Sequence, residues 1–412
     1  MTFDRGDPAT ALHQAAPAAS PGRAALGPSG TAVEGSAARP EPVPWLASLT
    51  PATHGAYHSP RDRPDGVLDF SANGNVIGPP PGTADAIAGV DVTRYPDPTA
   101  HDLRAAIATR EGIPADCVVA GNGSTELIWA VARAYLGPGR TALVCGPTYG
   151  EYAVASAATG ASVQIAPLLW PDGRGEARDP AEFAAGLARC AHESDARMIW
   201  LCHPNNPTGE ALPVRRLGEV MRAAPEALIV VDEAYLLLTD GLPSALTGIE
   251  SGRLAVLRSM TKDAALAGIR VGALLAAPEV VEIVRRVVPP WSVSSVAQAA
   301  GCHAVADVAH LRRARAAVAA SRDHLVDGLR RRGLAPRPSV ANFVLVEVGN
   351  GRLVAERLLE RGLAVRDCAS FGLPAHVRIG VRSIPDQERL LAALPDALAR
   401  TGDPIHLRSG QA

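Results

Sequence analysis

Between about residue 115 and residue 276 the chain repeats one pattern: a short apolar run, a polar turn, then a stretch of helical periodicity. Val118–Ala120, Ala142–Cys145, Ser162–Ile165, Met198–Cys202, Ala227–Val231, Leu254–Leu257 and Val271–Ala276 are the apolar runs. Strands without polar alternation are buried on both faces, and buried strands interleaved with helices form a mostly parallel sheet between helix layers. The spacing predicts a helix from Gly121-Asn122-Gly123-Ser124 through Leu136, stopped by Gly137-Pro138, and another from Gly150. After residue 279 the pattern changes. A long helical stretch is expected from about 292 to 332, then a strand at Asn342–Glu347, a helix at Leu353–Arg361, a strand at His376–Val381 and a helix at Asp386–Ala399. The expectation is an α/β chain with a large domain over 91–285. A connecting long helix and a smaller C-terminal α+β domain follow over 286–402. Residues 1–42 are rich in Ala, Pro, Gly and Ser, cannot bury enough surface to offset ordering, and read as a disordered tail; 403–412 read as a second tail.

Composition narrows the class. Apolar residues make up 47% and charged residues 20% of 412, ordinary for a globular enzyme. A net charge of -2 argues against a nucleic-acid partner, and no apolar run reaches the length of a membrane span. Asp4, Arg5, Gly6, Asp7 and Pro8 interrupt any secretory signal at the start. The six cysteines (117, 145, 190, 202, 302 and 368) form no CxxC pair, which predicts reduced thiols in a cytoplasmic protein and neither a disulfide framework nor a zinc site.

One residue type is nearly absent. Lysine and arginine total 40, and Lys262 is the only lysine. Arginine replaces lysine for surface charge, but a guanidinium stays protonated, whereas a lysine amine can lose its proton and form a Schiff base with an aldehyde. Lys262 lies in Ser259-Met260-Thr261-Lys262, with Arg270 downstream.

An aldehyde cofactor such as pyridoxal 5'-phosphate needs an amine, an acid against its ring nitrogen, a phosphate cradle and an aromatic for its ring. Gly123 and Ser124 stand between a strand and a helix, where backbone N–H groups favour phosphate, although many such turns are Gly-rich for steric reasons alone. Ser259 and Arg270 can add a hydroxyl and a cation to the same phosphate; Arg270 reads equally as a surface ion pair. Asp232 ends the run Leu228–Val231, at the C-terminal end of a parallel strand, where α/β sheets bind ligands. It can pair with a ring nitrogen or cap a helix. Tyr235 can meet the ring's 3-oxygen or pack in the core. Asn206, in His203–Gly209, is a second partner for that oxygen, or part of an ordinary Asn/Pro turn. Tyr149 can stack on a flat ring.

Taken together, GNGSTEL (121–127), PTYGEY (147–152), HPNNPTG (203–209), DEAY (232–235), SMTK (259–262) and IRVG (269–272) make the chain resemble the class I/II aminotransferases of PLP fold type I. Within that class it resembles the histidinol-phosphate aminotransferases, through PTYGEY, and the threonine-phosphate decarboxylases, through HGA (54–56), DFSAN (69–73), PWSVSS (290–295) and RIGVRS (378–383). The resemblance implies that residues 43–90 cover the site and that Arg378 holds a substrate carboxylate. It also implies that Asn73 lines the substrate site and that Tyr95 reaches the cofactor phosphate of a second subunit in a homodimer. Arg366 and Arg382 are further cations at the substrate end, and each reads equally as solvated surface. The chain departs from the family pattern at Gly74-Asn75-Val76, Ala56, Ala264 and Ala265, all near that end.

The implied activity is amino-group transfer on an amino acid or a phosphorylated amino compound through a Lys262 Schiff base, with Lys262, Asp232 and Tyr235 catalytic. The alternative is decarboxylation of the threonine-phosphate type, since the bond set perpendicular to the cofactor ring decides the outcome. A transcription regulator is disfavoured because about 45 residues precede the homology and carry no helix-turn-helix pattern. The intact Lys, Asp, Tyr and Asn set argues against a catalytically dead binding protein.

Overall fold

A computed structural model describes residues 41–53, 66–167 and 179–399. The expected tails, 1–40 and 403–412 among them, and the HGA motif at 54–56 lie outside the described residues. The large sheet contains β1 (Val118–Gly121), β2 (Thr141–Cys145), β3 (Ser162–Ala166), β4 (Ala196–Cys202), β5 (Leu228–Asp232), β6 (Leu254–Ser259) and β7 (Gly272–Ala276). Its strand order is β1-β7-β6-β5-β4-β2-β3. All neighbours run parallel except at β7, which is antiparallel to both β1 and β6. The fold is therefore α/β with a mostly parallel sheet.

Side-chain alternation sorts the core into two layers. Ile199, Leu201, Ile229, Val231 and Val256 face one apolar cluster, with helix α1 (His101–Glu111) packed into it through Leu103 and Ile107. Met198, Trp200, Leu228, Val230, Ala255 and Leu257 face the other. Helix α2 (Gly123–Tyr135) supplies Leu127, Ile128 and Val131 there, and α3 (Glu151–Ala157) supplies Tyr152. These strands are Val-, Ile- and Leu-rich because both faces are covered.

The helical stretch expected at 292–332 is two helices, α4 (Ser295–Ala306) and α5 (Val308–Arg330). Asp307 breaks it. Its backbone sits at φ -87°, ψ 73°, and its carboxylate accepts the His310 N–H at 2.7 Å. Aspartate gains more as an N-cap than inside a helix, and the Ala-rich sequence on both sides hid that choice.

A three-stranded antiparallel sheet follows, made of β8 (Phe343–Glu347), β9 (Arg366–Asp367) and β10 (His376–Gly380), in the order β9-β10-β8. A third apolar cluster covers it and includes Phe70 from the N-terminal segment, whose amide bonds Ala364. Further along the same segment, Asn73 reaches the Tyr235 hydroxyl and Asn75 the Asp263 carbonyl, beyond the carboxyl ends of the large sheet. Among the described residues no helix is long and apolar enough to cross a membrane, and no group of His, Cys, Asp or Glu is placed to hold a metal ion. All six cysteines are free.

Candidate active site

Parallel strands end together, so the residues that follow them converge. Ser124, Tyr149, Asn206, Asp232, Tyr235, Ser259, Lys262 and Arg270 line one cavity of about 180 Å³ beyond the carboxyl ends of β4, β5 and β6. These come from six separate sequence motifs. The loops that carry Tyr149 and Asn206 are tied together: Thr148 donates to Asn205 Oδ1 at 2.9 Å, and Asn205 Nδ2 donates to the Pro147 carbonyl at 3.0 Å.

The phosphate end depends on two glycines. Gly123 has φ +75°, and a Cβ there would lie 2.5 Å from Arg270 Nη2. A Cβ on Gly272 would lie 2.6 Å from the Ser124 amide and 2.9 Å from the Arg258 carbonyl. Only glycine lets the guanidinium and the α2 N-terminus close on the same space. Ser259 ends β6 on the same rim. Backbone amides, a hydroxyl and a guanidinium around a gap suit a phosphate group.

The opposite end is acidic. Asp232 is buried; its Oδ2 accepts the Tyr152 hydroxyl at 2.7 Å and its Oδ1 the Ala234 N–H at 3.0 Å. Burial raises its pKa, and the Tyr152 and Ala234 hydrogen bonds and the Lys262 charge work against that rise. A carboxylate so placed suits a protonated ring nitrogen. Lys262 is lowered to about 8, first by desolvation and then by the charges of Arg378 and Arg270, with Asp232 opposing. A large fraction of this amine is neutral near pH 8, as a Schiff-base nucleophile requires. Its Nζ lies 5.7 Å from the Tyr235 ring centre. Burial holds the Tyr235 hydroxyl protonated, at about 12. Tyr149 packs edge-on to Tyr152, ring centres 5.5 Å apart. The residues present thus fit pyridoxal phosphate: a glycine-floored cradle, a neutral-tending amine and a buried acid at the far end.

The substrate-end residues adjoin this cavity. Asn73 Nδ2 donates to the Tyr235 hydroxyl at 3.3 Å, and Asn73 Oδ1 is buried. Arg378 is buried, bonds Asn206 Oδ1 and the Ser71 carbonyl, and lies over the Phe343 ring. Arg366 stands directly opposite Arg378 in the β9–β10 register. Its Nη2 donates to the Thr53 carbonyl at 2.9 Å and to Ser370 Oγ at 2.7 Å. Arg382 turns away to Asp386 and the Asp69 carbonyl. Tyr95 is not brought to this cavity; it is 83% exposed and lies against Trp291, ring centres 5.1 Å apart and planes tilted by 36°.

Sequence reasoning assigned no role to five residues that line the cavity: Thr125, Tyr152, Cys202, Ala234 and Thr261. Tyr152 had a signal, as the second tyrosine of Pro147–Tyr152. It also missed a buried chain of charges on the other face of the sheet. Glu233, next to Asp232, pairs with Arg258, next to Ser259; Arg258 bonds Glu111 at 3.0 Å. Glu111 pairs with Arg110 at 2.9 Å, and Arg110 lies 3.7 Å from Asp263, next to Lys262.

A profile of the family described as Aminotransferase class I and II matches residues 66–394. The histidinol-phosphate aminotransferase of Anaeromyxobacter sp. is 36% identical over 363 residues, covering 85% of this chain and 97% of that protein. Histidinol-phosphate aminotransferase 2 of Pseudomonas fluorescens is 33% identical over 344 residues, covering 82% and 90%. Among solved structures, the histidinol-phosphate aminotransferase of Sinorhizobium meliloti, in complex with pyridoxal-5'-phosphate, superposes with a TM-score of 0.77 at 26% identity, over 88% of this chain and 99% of that one. The L-threonine-O-3-phosphate decarboxylase of Porphyromonas gingivalis shares the fold, with a TM-score of 0.69 at 22% identity over 80% and 99%. With the cavity's cradle, amine and acid, these matches show that the chain belongs to the class I and II aminotransferase family, as a pyridoxal-phosphate-dependent aminotransferase.

Proposed function

We propose that the enzyme moves an amino group to and from a small phosphorylated amino compound of the histidinol-phosphate type. The observation that carries this is the pair Arg366 and Arg378, directly opposed on neighbouring strands at the substrate end. Two guanidiniums suit a doubly charged anion better than a single carboxylate. The similarity to histidinol-phosphate aminotransferases supports the same substrate class.

The bound cofactor supplies an electron sink for the substrate's α-carbon. The chain's own residues do the rest. Ser124, Ser259, Arg270 and the Gly123 turn hold the phosphate, and Tyr149 covers the ring face. Asp232 accepts the ring N–H. Tyr235 and Asn206 donate to the 3-oxygen. Lys262 would hold the cofactor through its amine, and that amine would also take and return the proton at the substrate's α-carbon. Asn73 and Arg378 line the substrate end, with Arg366 opposite Arg378 on the neighbouring strand. In the working homodimer Tyr95 reaches the phosphate of the second copy; its exposure beside Trp291 fits that role. Free thiols fit a cytoplasmic enzyme. The large domain over 91–285, the small domain over 286–402 and the covering segment over 43–90 are the units of this design.

The test supplies L-histidinol phosphate with 2-oxoglutarate, and separately L-threonine O-3-phosphate. Glutamate formation from the first without carbon dioxide release from the second is expected. Carbon dioxide release without keto-acid formation overturns the proposal. Borohydride reduction of the holoenzyme should fix the cofactor on Lys262, and Lys262→Ala should abolish turnover.

A further inference from the structure

Tyr152 sits at the end of a closed set of contacts with no evident structural need for its hydroxyl. Its ring stacks on Trp200, centres 5.2 Å apart and planes 9° off parallel. The Trp200 indole N–H donates to Ser156 Oγ at 3.0 Å, and that hydroxyl donates to the Tyr152 carbonyl at 2.7 Å. The ring therefore has one orientation. From it the hydroxyl donates to Asp232 Oδ2, while the Ala234 amide donates to Oδ1.

We propose that Tyr152 is a positioning residue for the reaction, holding the Asp232 carboxylate in the orientation and ionised form that let it bind a protonated ring nitrogen. The proposal rests on the cofactor reading above. An ionised carboxylate has about four lone-pair directions, two per oxygen. One donor on each oxygen leaves a free lone pair on each, and the donors fix where those point. No guanidinium reaches Asp232. Besides Tyr152, the charged or titratable groups around it are Lys262, Glu233, Tyr235, Tyr149 and the Cys202 thiol, of which only Lys262 carries a charge that favours its ionised form. Burial works against the carboxylate, and the Tyr152 hydroxyl is the first influence opposing burial. Without it, Asp232 takes up a proton more readily and no longer accepts from the ring N–H.

The test uses full-length protein and cofactor carrying ¹⁵N in its ring, and compares wild type, Tyr152→Phe, Asp232→Asn and the double variant. The proposal expects the ring ¹⁵N resonance of Tyr152→Phe to move toward the unprotonated value. The dissociation constant for pyridoxal phosphate, from equilibrium dialysis, should rise about tenfold, the worth of one charge-assisted hydrogen bond. In the Asp232→Asn background, Tyr152→Phe should change that constant less than about twofold, because the effect passes through the carboxylate. An unmoved resonance, or the same loss in both backgrounds, overturns the proposal. Should Tyr152→Phe fail to fold, 3-fluorotyrosine at position 152 keeps the shape and strengthens the donor; it should move the resonance the opposite way, and no movement again overturns the proposal. Failure of the cofactor reading looks different: the wild-type protein itself would then not bind pyridoxal phosphate.

Discussion

Asp232 and Glu233 are neighbours in sequence, are both buried at the end of one strand, and have opposite fates. Strand alternation sends Asp232 toward the cavity and Glu233 to the other face. Glu233 meets the Arg258 guanidinium, the Ser244 hydroxyl and the Ala245 amide. Asp232 meets one hydroxyl and one amide. On the back face the Arg258 guanidinium joins Glu233 and Glu111, and only Asp263, at the end of that chain 3.7 Å from Arg110, is left raised by burial. Glu111 is raised by burial but carried below its ordinary range by Arg258 and Arg110. On the cavity face Asp232 stays raised and Lys262 stays lowered. Polar groups left short of partners in a buried place are expensive, and they persist where a ligand supplies what is missing.

The contrast can be broken in a definite order. Arg258→Met strands Glu233 without its cation and leaves Glu111 only Arg110, and should lower the unfolding free energy by about 3–5 kcal/mol in chemical denaturation. The folded fraction should keep its affinity for pyridoxal phosphate, since Arg258 faces away from the cavity. A loss of affinity larger than the loss of stability would erase the distinction between the two faces. Asp232→Asn should do the reverse. Its kcat/KM should fall on the order of 10²–10³, while the unfolding free energy of the apoprotein stays within about 1 kcal/mol of wild type. The smallest effect is the pH dependence of cofactor capture by the apoprotein. Only the neutral amine attacks an aldehyde, and Lys262 loses its proton near pH 8. The stopped-flow rate should therefore climb about tenfold per pH unit well below 8 and level off above it. A rate still climbing at pH 10 would mean that the cavity does not depress this lysine.

What the sequence showed and what it hid follow the same geometry. The cavity residues were legible because each sits just after an apolar run, and parallel strands bring such positions together wherever they lie in the chain. Lys262 was legible because arginine had replaced every other lysine. The back-face chain was not, because Arg258 and Glu111 are 147 positions apart and neither stands in a motif with a known chemistry. A trace existed: an Asp-Glu pair ending a strand buried on both faces must send one carboxylate each way, and the second then needs a cation. Tyr152 was hidden for another reason. In the sequence it is a core aromatic, and only its 2.7 Å approach to Asp232 separates it from one. Asp307 reads as an ordinary helix-surface residue until its capping bond is seen. Tyr95 was singled out by resemblance alone, and in this chain it is exposed beside Trp291, away from the cavity.

The scarcity of lysine has a practical side. Reagents directed at primary amines, whether fluorophores, isotopic tags or crosslinkers, find only the terminal α-amino group and one side chain in this protein. That side chain lines the cavity. Labelling of Lys262 is thus an occupancy gauge for the pocket, readable by mass spectrometry in a mixture, with no substrate known and no other lysine side chain to label.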